Sequence, residues 1–303
     1  MRNTLAGVIA ASLGVALIAF LPTPRPAGAQ AQRPLPERVS FMSADGRTTL
    51  VGYLYRPARM RAPRVPAVVM MHGRAGAYSS RANGVYDAST LSLRHKAWGE
   101  AWADAGYLAL LVDGFGPRGY PQGFGRFSYE GRPAELNEVT VRPLDAAGAL
   151  AFLRARPDVI PDRIGLQGWS NGGSTVLATM SPVAPAPPAL MPSSGFRAAL
   201  AFYPGCGLHD AFKDTPLHPT APTLVLHGMA DEEVSYKRCQ ELVQRSRAAG
   251  GPIDIKLYPG AAHNFDSPAT SVQKSDANAT ATRNAVAVSL KFFAQHLGGV
   301  SRP

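Results

Sequence analysis

A serine flanked by glycines is the first feature of this chain that could do chemistry. The run Gly168-Trp169-Ser170-Asn171-Gly172-Gly173 follows the apolar residues 163–167 and precedes the helix-like residues 174–180. A strand, a sharp turn and a helix therefore meet at Ser170, and the glycines allow the close packing that such a strained turn requires. The start of a helix also favours developing negative charge. The pattern predicts a nucleophile elbow with Ser170 as the nucleophile.

An aspartate and a histidine follow at suitable places, and a serine hydroxyl needs a base to remove its proton. Asp231 lies just after the predicted strand 223–227, and His263 lies in the loop after the predicted strand 254–258. Both positions are C-terminal strand ends, the edge at which open α/β sheets bind ligands. The order Ser170, Asp231, His263 predicts a catalytic triad in which the histidine transfers the proton and the aspartate orients the imidazole.

Other acids and histidines compete for these roles. Glu232 and Glu233 also carry carboxylates, but they lead into the predicted helix 235–249, where acids in the first turn are ordinary partners of the helix dipole. Asp231 is therefore the favoured acid. The remaining candidate bases are predicted to lie in a proline-interrupted loop, on helix surfaces or inside a strand: His209, His218, His95, His296 and His227.

The site for an oxyanion is predicted after another strand. Residues 65–71 read as a buried strand that ends in His72-Gly73-Arg74-Ala75-Gly76. A glycine-rich bend there supplies one backbone N–H group, placed at Arg74 with Gly73 or Ala75 as alternatives, and Asn171 supplies the other. The alternative interpretation of the His72-Gly73 pair is a tight turn with a capping histidine.

These segments resemble those of the dienelactone hydrolase family of α/β-hydrolases, over about residues 39–297. The resemblance rests on residues 168–172, 226–231 and 258–265, and residues 112–119 with 142–150 are similar to the secreted branch of that family. The family's name-giving enzymes use a cysteine nucleophile and a glutamate beside the oxyanion strand. Ser170 and Gly73 stand at those positions here, which favours general ester chemistry over the dienelactone substrate.

Strands alternate with helices along the chain, which predicts an α/β-hydrolase fold with a mostly parallel sheet and helices on both faces. The predicted elements are a β-hairpin (39–41 and 49–55), strands at 65–71, 107–112, 163–167, 197–203, 223–227 and 254–258, and helices at 95–105, 139–154, 171–180, 235–249 and about 277–296.

Two long loops, residues 76–94 and 114–135, are rich in aromatic residues and are predicted to form pocket walls, with surface packing as the alternative. The second loop contains Arg118 and Tyr120, which are possible substrate-binding residues. Arg118 would meet a substrate carboxylate through its planar donor group, or it would pair with Asp113 instead.

The first 29 residues read as a signal peptide, with a basic start, an apolar stretch at 5–21 and the small-residue cleavage site Ala27-Gly28-Ala29. A short membrane anchor is the alternative. Residues 30–303 are then expected to form one catalytic domain in the periplasm or outside the cell, without a membrane anchor. In an oxidising compartment Cys206 and Cys239 are predicted to form a disulfide, with two buried thiols as the alternative.

The composition narrows the classes of function. The formal net charge is +10, but the arginines are scattered and form no basic stripe or known binding motif, so nucleic acid is not an expected partner. No spacing of Cys or His suits a metal site, and no cofactor is implied. We expect a serine hydrolase that cleaves carboxylic esters or lactones through an acyl-enzyme. The alternatives are a peptidase-like hydrolase and a catalytically silent binding protein with the same fold.

Overall fold

The computed structural model describes residues 33–60, 62–183, 187–191 and 195–298. The predicted signal peptide lies outside the described residues. The chain separates into residues 1–34 and a compact unit of residues 35–303. All the described strands and helices belong to the second unit.

Eight strands of the described residues form one sheet. They are β1 (Glu37–Met42), β2 (Thr49–Tyr55), β3 (Val65–Met71), β4 (Leu108–Asp113), β5 (Val159–Trp169), β6 (Ala198–Phe202), β7 (Thr223–Gly228) and β8 (Ile253–Tyr258). Their order across the sheet is β1-β2-β4-β3-β5-β6-β7-β8. The first two strands form an antiparallel hairpin, β2 also pairs antiparallel with β4, and the pairs from β4 to β8 are parallel.

The neighbouring strands β3 and β4 are buried along their length because they consist almost entirely of apolar residues. Every residue of β3 and β4 is buried, whereas the edge strand β1 is mostly exposed. Continuous apolar strands are typical of parallel sheets that are covered on both faces. The parallel arrangement brings the C-terminal ends of β3 to β8 to one edge of the sheet.

Among the described residues, six α-helices accompany the sheet: α1 (Leu93–Asp104), α2 (Arg142–Arg154), α3 (Asn171–Met180), α4 (Tyr236–Ala248), α5 (Thr270–Gln273) and α6 (Asp276–Leu297). Buried side chains of α2, α3 and α4 share one apolar cluster with one face of the sheet. Those of α1 and α6 share a second cluster with the other face. The predicted three-layer α/β-hydrolase architecture is therefore confirmed.

The predicted helix at 139–154 begins three residues later than expected. The side chain of Asn137 accepts hydrogen bonds from the N–H groups of Val139 and Thr140, at 2.8 and 3.0 Å. Those bonds make a separate turn before the helix, because an asparagine side chain competes with the backbone for local donors. The helix proper starts at Arg142.

The prediction that His95 lies on a helix surface is wrong. Its side chain is 2% exposed, and its Nδ1 lies 2.9 Å from both the carbonyl oxygen of Ala77 and Oγ of Ser92. Ser92 is the residue before α1 and accepts from the His95 N–H group, so the start of α1 turns this imidazole inward.

A disulfide joins Cys206 to Cys239, with their Cα atoms 5.1 Å apart. Cys206 lies in the loop after β6, and Cys239 lies in the first turns of α4. The bond thus ties together two segments that follow neighbouring strands. No helix among the described residues has the length and apolarity needed to cross a bilayer.

Reduction of this disulfide is expected to lower the melting temperature. A bond that closes a segment of 33 residues stabilises by about 3 to 4 kcal/mol in chain-entropy estimates, which corresponds to roughly 5 to 15 °C in a domain of this size. Calorimetry with and without reductant measures the shift, and a Cys206→Ala/Cys239→Ala variant should be insensitive to reductant. Two titratable thiols in denatured, unreduced protein would contradict the bond.

Candidate active site

The backbone at Ser170 is held in a conformation that side chains rarely adopt, with φ of 53° and ψ of −115°. Ser170 lies between the last residue of β5 and the first residue of α3, and its N–H group donates to the carbonyl oxygen of Phe202 at 2.9 Å. A Cβ atom at Gly172 would collide with the carbonyl oxygens of Met71 and His72, and one at Gly168 would collide with the carbonyl of Gly172. Both positions of the motif therefore require glycine.

The three predicted triad residues lie together in the order that proton transfer needs. Nε2 of His263 is 3.1 Å from Oγ of Ser170, and Nδ1 of His263 is 2.8 Å from Oδ2 of Asp231. All three side chains are almost completely buried. These distances permit a hydroxyl proton to move to the imidazole while the carboxylate holds the opposite ring nitrogen.

Asp231 is kept ionised by its hydrogen bonds. Burial acts to raise its pKa, but hydrogen bonds from His227 and His263 and from the N–H group of Val234 outweigh it and hold the pKa well below the usual range. The second carboxylate oxygen accepts from the N–H groups of Glu233 and Val234, each at 2.9 Å. The carboxylate therefore remains charged and fixed in place beside the imidazole.

The sequence predicted a purely structural role for His227 inside the sheet, but this residue also contacts the predicted catalytic acid Asp231. It is fully buried at the end of β7, and its Nε2 lies 3.1 Å from the same Asp231 oxygen that contacts His263. The i, i+4 spacing of His227 and Asp231 across the strand end is the signal in the sequence that could have indicated this contact.

The loop after β3 lies against the elbow, as an oxyanion site requires. A Cβ atom at Gly73 would lie 3.1 Å from the carbonyl oxygen of Trp169, so this loop approaches the elbow closely. The N–H group of Gly76 donates to the carbonyl oxygen of Gly73, which makes Arg74 and Ala75 the central residues of a turn. The assignment of the donors to Arg74 and Asn171 remains a prediction.

A buried arginine donates a hydrogen bond to the side chain of Asn171. Arg142 is fully buried, and its Nη1 donates to Oδ1 of Asn171. Its guanidinium carbon lies 4.9 Å from the ring centre of Phe115, and burial lowers its pKa to about 10. Arg142 is thus cationic at neutral pH beside the residue that follows the nucleophile. No catalytic or binding role was predicted for Arg142 from the sequence.

The prediction that Glu233 is an ordinary partner of the helix dipole is wrong. Helix α4 begins only at Tyr236, so Glu233 precedes it and turns inward instead of facing the helix dipole. Its carboxylate accepts three hydrogen bonds from Arg74, at 2.8 to 3.0 Å, and lies 3.8 Å from Nε2 of His263. The neighbouring Glu232 accepts from the N–H group of His263 at 3.1 Å. Both acids therefore hold parts of the site.

A cavity of about 640 Å³ opens beside Ser170 and His263. Its walls come from the loop after β3, the start of α1 and the loop after His263, and they include three arginines and no Asp or Glu: Arg74, Arg81 and Arg94. Of the aromatic residues predicted to form pocket walls, Tyr78 lines this cavity.

Arg118 and Tyr120 are not brought to this cavity. The guanidinium of Arg118 donates to both oxygens of Asp145 at 2.8 Å, so the predicted contact with a substrate carboxylate is wrong. The alternative pairing with Asp113 is also wrong, because Asp113 accepts instead from Tyr78 and from two backbone N–H groups. Tyr120 is partly exposed, and its ring packs at a tilt of 34° against that of Phe124, with ring centres 5.5 Å apart.

Solved structures of α/β enzymes share the fold. One is esterase 2 from Thermogutta terrifontis phosphorylated by paraoxon, with a TM-score of 0.63 and 20% identity over 89% of this chain and 98% of that one. Another is the propionate-bound form of the same esterase, with a TM-score of 0.60, 20% identity, and coverage of 89% and 97%.

Curated relatives are similar to this chain over smaller shares of both sequences. Human dipeptidyl peptidase 8 is 28% identical over 257 residues, which are 77% of this chain and 26% of the peptidase. The chain thus spans about a quarter of that relative's length. The quorum-quenching protein AidA of Acinetobacter baumannii is 31% identical over 144 residues, which cover 48% of this chain and 39% of that protein.

The profile of the dienelactone hydrolase family matches residues 50–297, most of the chain. The match includes the elbow, both segments that supply Asp231 and His263, and the loop after β3. Together with the eight-stranded sheet, it identifies an α/β-fold hydrolase. The chain belongs to the dienelactone hydrolase family.

Proposed function

We propose that this protein is a serine hydrolase that cleaves carboxylic esters or lactones through an acyl-enzyme. The observation that carries the proposal is the alignment of Ser170, His263 and Asp231, with contacts of 3.1 and 2.8 Å, at the wall of an open cavity. A serine with such a base and acid is an activated nucleophile.

The first half of the reaction forms the acyl-enzyme. Oγ of Ser170 bonds to the ester carbonyl carbon while Nε2 of His263 takes the hydroxyl proton. The carbonyl oxygen becomes an oxyanion, which the N–H groups of Arg74 and Asn171 stabilise. The bond from carbon to the ester oxygen then breaks, and His263 returns the proton to the leaving alkoxide.

The second half releases the acid. Water replaces the alcohol, His263 takes a proton from it, and the hydroxide oxygen attacks the acyl carbon. Collapse of the second tetrahedral intermediate breaks the bond to Ser170, which recovers its proton from His263. In both halves Asp231 stabilises the imidazolium, because its carboxylate is ionised and contacts Nδ1.

An ester substrate fits the cavity better than a peptide with a free amino terminus. Recognition of an ammonium group calls for carboxylates, but the described residues that line this cavity include no Asp or Glu, and the nearby carboxylate of Glu233 is already paired with Arg74. The structural neighbours named esterase 2 support the same choice. The match to a dipeptidyl peptidase keeps peptide hydrolysis as the second candidate, and a silent binding protein is disfavoured by the aligned triad.

We further propose that the protein acts outside the cytoplasm on small esters, after removal of residues 1–29 and without a remaining membrane anchor. The disulfide between Cys206 and Cys239 supports an oxidising compartment, since such bonds are rare in reducing ones.

Replacement of the nucleophile tests the proposed reaction. Ser170→Ala removes only a hydroxyl, so we expect hydrolysis of a chromogenic ester to fall by at least about 10⁴-fold with little change in melting temperature. Asp231→Asn should also lose several orders of magnitude, because the imidazole is no longer held in the required tautomer. A matched control is Ser289→Ala in α6, a buried serine whose hydroxyl has no hydrogen-bond partner among the described residues, and its turnover should equal that of wild type. Activity of Ser170→Ala above a tenth of wild type would refute the assignment.

Paired substrates separate the two candidate activities. A chromogenic ester and an amide with the same acyl group should differ strongly in kcat/KM, with the ester preferred. Labelling of Ser170 by an organophosphonate should abolish turnover of the ester. A dipeptide amide turned over faster than the matched ester would favour the peptidase, and wild-type protein that neither labels nor hydrolyses any ester would favour the binding protein.

A further inference from the structure

Asp266, three residues after His263, carries a carboxylate that the proposed reaction does not use. The residue is 3% exposed, and its side chain is completely buried. Its Oδ2 accepts from the indole N–H groups of Trp98 and Trp169, each at 2.8 Å. Its Oδ1 accepts from the hydroxyl of Tyr203 at 2.5 Å and lies 3.2 Å from Nε of Arg94. These contacts supply both oxygens of the buried carboxylate with partners, as burial of a polar group requires.

The four partners of Asp266 belong to different walls of the site. Trp169 immediately precedes Ser170 in the chain. The ring of Tyr203 packs edge-on against the imidazole of His263, with ring centres 4.6 Å apart. Trp98 and Arg94 belong to α1, and Arg94 also lines the cavity. One carboxylate thus connects the strand of the nucleophile, the aromatic ring beside the base and the cavity wall.

A second contact fixes the same loop at the residue that directly follows His263. Nη2 of Arg94 donates to Oδ1 of Asn264 at 2.6 Å. Asn264 directly follows His263 and has a left-handed φ of 63°. Arg94 therefore contacts both Asn264 and Asp266, and His263 directly precedes the segment that these contacts hold.

We propose that Asp266 is a positioning residue for His263. Its carboxylate holds the loop so that the imidazole lies between Ser170 and Asp231, and it does not touch the reacting atoms. The inference rests on the proposed function, because Asp266 acts through His263. The effect is large in principle, since a displacement of about 1 Å in a catalytic group costs about 100-fold in rate.

The same loop has anchors that do not reach the site, and these provide a matched control. The hydroxyl of Thr282 donates to the carbonyl oxygen of Phe265 at 2.7 Å, and the side chain of Gln273 donates to the same oxygen at 2.8 Å. These bonds tie the loop to α5 and α6 and contact neither Trp169 nor Tyr203. Gln273 still donates to this oxygen in Thr282→Val, and the donors to Asp266 are unchanged, so the variant removes one anchor of the loop and leaves the Asp266 contacts in place.

The central experiment compares Asp266→Asn with Thr282→Val and wild type on a chromogenic ester. Asparagine keeps the shape of the side chain but loses the charge and places an NH₂ group against donors. For Asp266→Asn we expect kcat per folded molecule to fall about 100-fold with KM nearly unchanged. Thr282→Val should lower the melting temperature and leave kcat within about twofold of wild type, because it leaves the geometry of the base intact.

Intrinsic fluorescence shows whether the intended contacts have changed in folded protein. The chain has 3 tryptophans, and two of them, Trp98 and Trp169, donate to Asp266. The emission spectrum of Asp266→Asn should therefore differ from that of wild type, while the spectrum of Thr282→Val should not.

If Asp266→Asn does not fold, Tyr203→Phe decides the question. This change removes one hydrogen bond to Asp266 and keeps the ring against His263, so kcat should fall roughly 3- to 10-fold. Wild-type kcat in Tyr203→Phe, or in folded Asp266→Asn with an altered emission spectrum, would overturn the inference. Failure of the proposed function is distinguishable, because it appears as absence of Ser170-dependent turnover in the wild-type protein.

Discussion

The crowding of backbone around Ser170 is the constraint on which the rest of the site depends. A positive φ at a residue with a side chain costs of order 1 to 3 kcal/mol and persists only where the surroundings impose it. Here β5 is paired with strands on both sides, and α3 begins at the next residue. The turn between them cannot relax without separating a buried strand from a buried helix. The hydroxyl is therefore presented at the sheet edge by the packing of the whole domain.

The loops that bring the other groups to Ser170 are held by buried charges. Glu233 binds Arg74 beside the predicted oxyanion turn, and Asp266 binds Arg94 behind His263. Such pairs are poor sources of net stability, because removing ions from water costs as much as their attraction returns. Their directional hydrogen bonds do fix geometry, since each charged group has few arrangements that satisfy it. The loops thus obtain the precision that irregular backbone lacks.

The fold was predictable to a large extent because the sheet is buried on both faces. β3 and α3 occupy the predicted residues, β7 and β8 differ from the predicted ranges by one residue at one end, and β4 and β6 differ by one residue at each end. Long apolar runs bounded by Gly and Pro leave few alternatives for such segments. The later start of α2 was missed because it depends on one side chain, Asn137, that bonds to its own backbone.

The misassigned side chains share a physical cause. Glu233, Arg118 and His95 are polar residues at the ends of helices or in loops, where polar side chains are usually exposed. Each is instead turned inward by a partner that is distant in the chain or by the packing of a neighbouring loop: Arg74 for Glu233, Asp145 for Arg118 and Ala77 for His95. Nothing in the local pattern encodes such partners.

By itself, the sequence determined the family, the alternation of strands and helices, and the candidate triad of Ser170, Asp231 and His263, because glycine spacing and strand ends are local properties of the chain. Only the tertiary structure decided which charges face the site. In the folded protein Glu233 and Asp266 face inward toward the site, whereas Arg118 is paired with Asp145 outside the cavity. The reason is that a buried charge takes its place from the donors and acceptors around it, and these come from every part of the fold.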